Sequence, residues 1–153
     1  MKPFLGFGVF VDNRTPRKGV PTAASFESWV KAALHGRHAG RRLVNIVLFG
    51  TAEARAINRK YRGKDYATNV LSFAYEPLPG EKTGLLGDLV MCPSVVAREA
   101  AKQGKKPRDH YAHLTIHGTL HLLGLDHENA GEAERMEALE AKILSGLGIA
   151  DPY

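Results

Sequence analysis

The stretch PRDHYAHLTIHGTLHLLGLDH, residues 107–127, has the pattern of one long helix that ends in a turn. His117 and His121 are four residues apart, so both lie on the same helix face, one turn or ~5.4 Å apart. Gly124 lies where the helix should end, because glycine adopts the left-handed backbone conformation at little cost. The turn that follows can bring His127 back towards the other two imidazoles, so the spacing predicts that all three meet one metal ion.

The predicted metal is zinc, with one Zn²⁺ ion per chain bound by His117, His121 and His127. Three neutral nitrogen ligands leave a fourth coordination position open to water, which is typical of catalytic rather than structural zinc sites. Zinc can lower the pKa of that water to about 7 and so produce a nucleophile. Nickel or another divalent ion stays an alternative, because imidazole ligands do not discriminate sharply between these metals.

The residue after the first histidine distinguishes this pattern from that of zinc proteases. Those enzymes use H-E-x-x-H-x-x-G-x-x-H, in which the glutamate is the general base. This chain has Gly118 at that position, so the base is missing and a peptidase mechanism is disfavoured. We expect the glycine instead to leave space beside the metal, which could admit a bulkier or more highly charged group.

Polar residues near the predicted ligands could complete the site. His113 lies one turn before His117 on the same helix face, and it could contact the substrate or assist proton transfer. Asp126 could orient an imidazole through its second ring nitrogen, or it could simply form the turn. A packed or solvent-facing histidine is the alternative at His113, and His110 is interpreted in the same way with less weight on function.

The remaining elements follow from hydrophobic periodicity and from residues that begin or end helices. Pro107 suits the first turn of the metal-ligand helix, and Thr51 is predicted to cap the helix after the second strand. Strands are predicted at 4–12, 42–50, 68–75 and 85–92, and helices at 22–36, 52–62, 93–106, 107–124 and 130–148. This order of strands and helices favours an α+β fold over regular βαβ winding.

The last predicted helix has an apolar stripe and a charged face. The residues expected to pack against the core are Met136, Leu139, Ile143 and Leu147. The residues that mostly fall off that stripe are Glu132, Glu134, Glu137 and Glu140. We expect these glutamates to be solvated rather than functional, as on the outer face of most amphipathic helices.

Length and composition are those of one globular domain, residues 1–153, with a sizeable core. Cys92 is the only cysteine, which excludes an intramolecular disulfide, fits a reducing compartment and is most simply a buried small hydrophobe. No apolar run approaches the ~20 residues of a membrane span, and the apolar N-terminus lacks a signal-peptide cleavage pattern. We therefore expect a cytoplasmic protein with no membrane association.

Positive charge is concentrated in the first part of the sequence. Residues 1–64 contain 13 lysines and arginines against three acids, a net charge of +10, whereas residues 65–153 have a net charge of −5. Such asymmetry favours a polyanion partner for the basic part, with an unevenly solvated surface as the alternative.

The basic stretch NRKYRGKDYATNVLSF, residues 58–73, places cations around a tyrosine. Arginine can bind a phosphate in bidentate fashion, and tyrosine can stack on an unpaired base. Beside a zinc site, this chemistry favours a phosphodiester substrate. The candidate polyanion contacts are Arg41, Arg42, Arg59, Tyr61 and Lys64.

Three blocks of the sequence together resemble the YbeY-type rRNA maturation factors, which are also described as endoribonucleases. The blocks are YRGKDYATNVLSFAYE at 61–76, GDLVMC at 87–92 and HGTLHLLGLDHENAGEAERMEALE at 117–140. The histidine block is the most specific, because it is both a ligand pattern and a family signature. Leu125 replaces a tyrosine that is commoner in the family, at a position that is not a ligand.

The resemblance implies a small mixed four-stranded sheet packed with about five helices, with the metal-ligand helix central in a zincin-like metal-dependent hydrolase architecture. It implies that His117, His121 and His127 bind zinc and that Arg62 is linked to activity. It also implies cleavage of single-stranded RNA, maturation of the 3′ end of 16S rRNA and ribosome quality control. The implied partners are rRNA and the small ribosomal subunit.

Two classes of function stay open from the sequence. In a zinc endoribonuclease, Arg62 would hold the phosphate or stabilise the transition state, and the base would be zinc hydroxide alone or with help from His113. A non-catalytic, zinc-containing ribosome-assembly factor that binds rRNA is the alternative. The missing glutamate favours this second class, whereas the open coordination position disfavours it.

Overall fold

The computed structural model describes residues 7–37, 40–125 and 128–153. Within these ranges the chain forms four strands and five helices in the predicted order. The strands are β1 (Gly8–Asn13), β2 (Leu43–Leu48), β3 (Val70–Ala74) and β4 (Leu85–Met91). The helices are α1 (Ala23–Leu34), α2 (Thr51–Arg62), α3 (Pro93–Gln103), α4 (Pro107–Leu122) and α5 (Ala130–Gly146). The prediction of an α+β fold is confirmed.

The four strands form one mixed sheet in the order β1-β2-β4-β3. Strand β2 pairs in parallel with β1 and β4, and Ile46 lies in register with Val11 on one side and Leu89 on the other. Strand β3 runs antiparallel to β4 at the edge of the sheet, where Ser72 pairs with Leu89. The mixed sheet that the family resemblance implies is therefore confirmed, with β1 and β3 at its two edges.

Helix α4 runs through the centre of the molecule and packs against α1, α3, α5, β3 and β4. The hydroxyls of its buried threonines find acceptors within the helix itself. Thr115 donates to the backbone carbonyl of Tyr111 and Thr119 to that of Thr115, both at 2.7 Å. On the α1 side, Phe26 meets Trp29 and Tyr111 edge to face. The helix that carries the predicted ligands is thus held by neighbours on nearly every side.

One cap is wrongly predicted from the sequence. Thr51 is the first residue of α2 rather than its cap, and the N-cap residue is Gly50. The Thr51 hydroxyl oxygen instead lies 2.9 Å from that of Ser94 in the first turn of α3. The Thr51 hydroxyl thus bonds a side chain of α3, and the N-cap residue of α2 makes no side-chain hydrogen bond to the first turn.

The buried face of α5 differs from the predicted stripe. Its fully packed residues are Met136, Glu140 and Leu144, which are spaced by four. The other three residues of the predicted stripe flank this face and are partly buried. Glu134 and Glu137 are exposed as expected, but the prediction that Glu140 is solvated is wrong, because its side chain lies wholly inside the core.

Cys92 is fully buried beside Ala54 and Val95, so the prediction of a buried small hydrophobe is confirmed. In the described part of the chain, no helix is both long enough and apolar enough to cross a membrane.

Candidate active site

Helix α4 presents His113, His117 and His121 on one face at intervals of four residues. The Nε2 atoms of His117 and His121 lie 3.1 Å apart. Two nitrogens that each lie about 2.0–2.1 Å from a tetrahedral ion are ~3.3 Å apart, so this spacing fits a shared metal ion. Of the predicted residues, His127 and Asp126 lie outside the described ranges, and inside those ranges no three or more His, Cys, Asp or Glu side chains form a metal-binding group. The structure therefore brings together two of the three predicted ligands.

The carboxylate of Glu140, on α5, contacts two of these histidines. Its Oε1 accepts hydrogen bonds from His117 Nδ1 at 3.0 Å and from His113 Nε2 at 2.9 Å. The hydroxyl of Tyr153 donates to the same oxygen at 3.1 Å. The side chain of Glu140 is 0% exposed. One buried carboxylate thus joins the two helices and fixes the rings of two histidines.

The charge state of Glu140 determines which ring nitrogens carry protons. Burial alone raises the pKa of its carboxyl, but the hydrogen bonds from His113 and His117 and the electrostatic effect of the same two rings outweigh burial and lower the pKa to about 2. An ionised carboxylate only accepts hydrogen bonds, so we assign the proton of His117 to Nδ1. This tautomer leaves the lone pair of His117 on Nε2, the atom that faces His121 Nε2, as metal binding requires.

Sequence reasoning missed both Glu140 and Tyr153. A signal for Glu140 exists, because it lies four residues from Met136 and from Leu144 and so shares their buried face. Tyr153 has no comparable signal, since its contact with His113 depends on how the segment after α5 folds back over α4. The two rings meet edge to face with their centroids 5.3 Å apart.

A cavity of about 670 Å³ opens in front of the histidines. Its lining residues include His113, His117, His121, Tyr153 and Arg62. Arg62 is the last residue of α2, so the fold brings it to the predicted metal ligands from more than fifty positions away in the sequence. Among the described residues that line the cavity, it is the one arginine or lysine. The cavity that the predicted metal ligands line therefore also carries a positively charged side chain.

The other predicted RNA contacts lie at two positions in the chain, one around the end of α2 and the other directly before β2. Tyr61 is 60% exposed, and its ring packs edge to face on Phe73 with centroids 5.2 Å apart. Arg59 and Lys64 are exposed in the same segment of chain. At the other position, the guanidinium of Arg41 donates to the Tyr75 carbonyl at 2.9 Å. The neighbouring Arg42 is half-buried, and the RNA-binding role of all five residues stays a prediction.

Gly118 faces the sheet rather than the cavity. A Cβ atom at this position would lie 2.8 Å from Leu89 Cδ2 and 3.1 Å from Ser72 Oγ. The Ser72 hydroxyl also donates to the Gly118 carbonyl at 3.2 Å. The expectation that this glycine leaves space beside the metal is wrong, because the sheet fills the space. Glycine instead lets α4 approach β3 and β4 closely.

His110 lies one turn closer to the start of α4 and is buried. Its Nε2 donates to Glu99 Oε1 at 2.9 Å, and Glu99 also accepts from Asn69 Nδ2 at 3.0 Å. Burial lowers the pKa of His110, and Glu99 only partly offsets that effect. His110 therefore has the surroundings of a packed, neutral histidine.

Comparison with known proteins identifies the family of this chain. The sequence profile of the family described as "Endoribonuclease YbeY" matches residues 10–148. A relative of that name from Stenotrophomonas maltophilia (strain R551-3) is 58% identical over 149 residues, which cover 95% of this chain and 92% of the relative. Another, from Alkalilimnicola ehrlichii, is 56% identical over 140 residues and covers 90% and 84% of the two chains.

A solved structure has the same fold. The solution structure of TM1509 from Thermotoga maritima superimposes with a TM-score of 0.59 and covers 92% of each chain. The two sequences are 23% identical, so this likeness concerns the arrangement of strands and helices alone.

Proposed function

Because the chain belongs to the endoribonuclease YbeY family, we propose that it is a zinc-dependent endoribonuclease that cuts single-stranded RNA. The observation that best supports this proposal is the cavity in which Arg62 lies together with His117 and His121. A cation and a pair of converging imidazoles at one opening suit a phosphodiester, whose negative charge grows in the transition state.

The residues of the cavity have separate roles in this proposal. A zinc ion bound by His117, His121 and His127 would supply a water molecule with a lowered pKa. The planar guanidinium of Arg62 would bind two oxygens of the scissile phosphate and stabilise its added charge.

Proton transfer is constrained by the contacts of His113. Its Nε2 is bonded to Glu140 and approaches the Tyr153 hydroxyl at 3.1 Å, and its Nδ1 is buried without a hydrogen-bond partner among the described residues. Because Nδ1 is the nitrogen that holds the lone pair in this arrangement and it is buried, His113 would accept a proton from the attacking water only if its ring turned to bring Nδ1 to the cavity. This makes a positioning role for His113 simpler than a role as the base.

The biological substrate proposed here is ribosomal RNA, in maturation of the 16S 3′ end and in ribosome quality control. This would make the small ribosomal subunit a partner and the cytoplasm the compartment. The family membership supports these roles, and the net charge of +10 in residues 1–64 suits an RNA surface. The exposed Arg59, Tyr61 and Lys64 would extend the contacts beyond the cavity, with the tyrosine stacking on an unpaired base.

The test compares zinc-loaded wild type with His117→Ala and Arg62→Glu on a single-stranded RNA, the matching duplex and a peptide. Arg17→Glu is the matched control, since it makes the same charge change at an exposed residue after β1, at the opposite sheet edge from β3. We expect wild type and the control to cut the single strand, and the other two variants to lose at least ~100-fold of the rate.

Zinc content and circular dichroism are measured on the same samples, because loss of a ligand can unfold a metalloprotein and imitate a catalytic defect. If the folded His117 and Arg62 variants cut RNA as fast as wild type, the activity is a contaminant. RNA binding without cleavage would then favour the non-catalytic assembly factor. Cleavage of the peptide would contradict the assignment of substrate.

A further inference from the structure

We propose that Glu140 is a positioning residue, which holds the ring of His117 in the orientation and tautomer that bind the metal. The proposal rests on the proposed function in one respect, namely that His117 is a metal ligand. It concerns metal affinity rather than catalysis, so it can fail or hold independently of RNA cleavage. Glu140 touches neither the metal nor the substrate in this proposal and acts only through the histidines.

Hydrogen bonds orient the His117 ring towards Glu140. His117 Nδ1 and His113 Nε2 both direct their hydrogens at Glu140 Oε1, at 3.0 and 2.9 Å. The hydrogen bond to Nδ1 fixes the rotation of the His117 ring, and it leaves the lone pair on Nε2, which lies 3.1 Å from His121 Nε2. A hydrogen-bonded carboxylate behind a metal-binding imidazole also makes that imidazole a stronger ligand.

Glu140 lies at a core position where an apolar side chain would pack at lower cost. It occupies the middle of the buried face of α5, between Met136 and Leu144, where leucine or methionine would remove more apolar surface from water. A buried carboxylate costs free energy unless it is well bonded, and Oε2 has no hydrogen-bond partner in the described part of the chain. Packing alone therefore does not account for a glutamate here, whereas orientation of the two histidines does.

His117 and Glu140 differ in their exposure to solvent. The side chain of His117 is 25% exposed and lines the cavity, whereas that of Glu140 is 0% exposed. The imidazole can thus meet a metal ion on one side while the carboxylate holds it from the protein interior. Helix α5 acts as the support of a site whose described ligands are on α4.

The decisive variants are Glu140→Gln and Glu140→Leu, with Glu137→Gln as the matched control. Glu137 is exposed on the same helix and does not line the cavity. Zinc affinity is measured by competition with a chromophoric chelator. We expect the dissociation constant for Zn²⁺ to rise ~10-fold in the glutamine variant, which keeps an oxygen acceptor but not the charge, and ~100-fold in the leucine variant. The control should bind zinc like wild type.

A second measurement separates positioning from general loss of structure. Long-range ¹H–¹⁵N correlation spectra of the metal-free protein report which nitrogen of each histidine carries the proton. We expect the proton of His117 on Nδ1 in wild type and in Glu137→Gln, and a shift towards Nε2 in Glu140→Leu. A merely structural residue would not change this tautomer in a folded variant.

Three results would overturn the proposal. One is a wild type that binds no zinc. The second is a folded Glu140→Leu variant with wild-type zinc affinity, and the third is a His117 proton on Nε2 in wild type. By contrast, a wild type that binds zinc with this dependence on Glu140 but cuts no RNA would contradict the proposed function alone.

Discussion

Two of the histidine–glutamate pairs that join α4 to its neighbouring helices are built in opposite ways. In the pair of His110 with Glu99, the imidazole is 4% exposed and the carboxylate 32% exposed. In the pair of His117 with Glu140, the imidazole is 25% exposed and the carboxylate 0% exposed. In the first pair the imidazole, which is the group that could bind a metal, is buried. In the second pair the carboxylate is buried and the imidazole lines the cavity.

The exposure of each pair determines which partner has the altered pKa. Burial lowers the pKa of His110, so this imidazole stays neutral inside the core. Burial acts on Glu140 in the opposite sense, but its two histidine donors outweigh it and keep the carboxylate ionised. A hydrogen bond between histidine and glutamate therefore does not by itself indicate a functional site. The better indication is an imidazole that lines the cavity while its carboxylate partner is buried.

The largest expected effect comes from removing the imidazole of each pair. His117→Ala should lower the rate of RNA cleavage by at least ~100-fold, because it removes a metal ligand. His110→Ala, measured on the same RNA, should keep a rate within ~3-fold of wild type once the fraction of folded protein is taken into account. Equal losses in the two folded variants would show that the pairs do not differ in function.

The next effect tests the helix on which both histidines lie. Gly118→Ala places a Cβ atom 2.8 Å from Leu89, so the sheet or α4 must shift. Overpacking of this kind costs ~1–3 kcal/mol of unfolding free energy, which urea denaturation measures. Gly146→Ala is the control, since a Cβ there meets nothing within 4 Å. An unchanged unfolding free energy in Gly118→Ala would contradict the close approach of α4 to the sheet.

A smaller effect distinguishes the two carboxylates. Glu140→Gln should weaken zinc binding ~10-fold, whereas Glu99→Gln should leave it unchanged, because only the first carboxylate bonds a predicted metal ligand. The same chelator competition measures both. Equal weakening in the two variants would mean that any negative charge next to α4 sets the zinc affinity. The hydrogen bond to His117 would then have no specific effect.

The sequence was sufficient for the order of elements and for the register of the histidines, because both follow from local periodicity. It predicted that His117 and His121 share a helix face, and their Nε2 atoms do meet. The position of Arg62 beside them was available only through family resemblance, since the approach of α2 to α4 depends on packing across the sheet. Gly118 and Glu140 were misinterpreted for one reason: each was assigned to the wrong face of its helix.

The prediction for Glu140 shows why the face was misassigned. A glutamate among other glutamates is expected on the solvated side of a helix. Glu140 was assigned to that side because it is charged, although its position in the sequence is that of the buried side. Its spacing of four from Met136 and Leu144 indicated the opposite side. What the sequence could not show is the energetic compensation, because the donors that make burial of the carboxylate tolerable are on another helix.

The smallest expected effect is a dependence of stability on pH that arises from His110. Burial lowers its pKa below the ordinary value of 6.5, so the unfolded chain takes up this proton at a higher pH than the folded protein. The stability contribution is complete above about pH 6.5 and is lost progressively as the pH falls from that value through the lower pKa of the folded protein. The charged or titratable groups that act on His110 are Glu99, Lys105 and His113.

His110→Gln removes this titration and retains a side-chain hydrogen-bond donor for Glu99. Between pH 7 and pH 5, we therefore expect the unfolding free energy of this variant to fall less steeply than that of wild type, in urea titrations at matched ionic strength. Equal slopes would mean that Glu99 offsets burial completely. A steeper slope in the variant would mean that the folded protein binds the His110 proton more tightly than the unfolded chain does, which would make this pair a charged ion pair in the folded protein rather than a neutral, packed histidine.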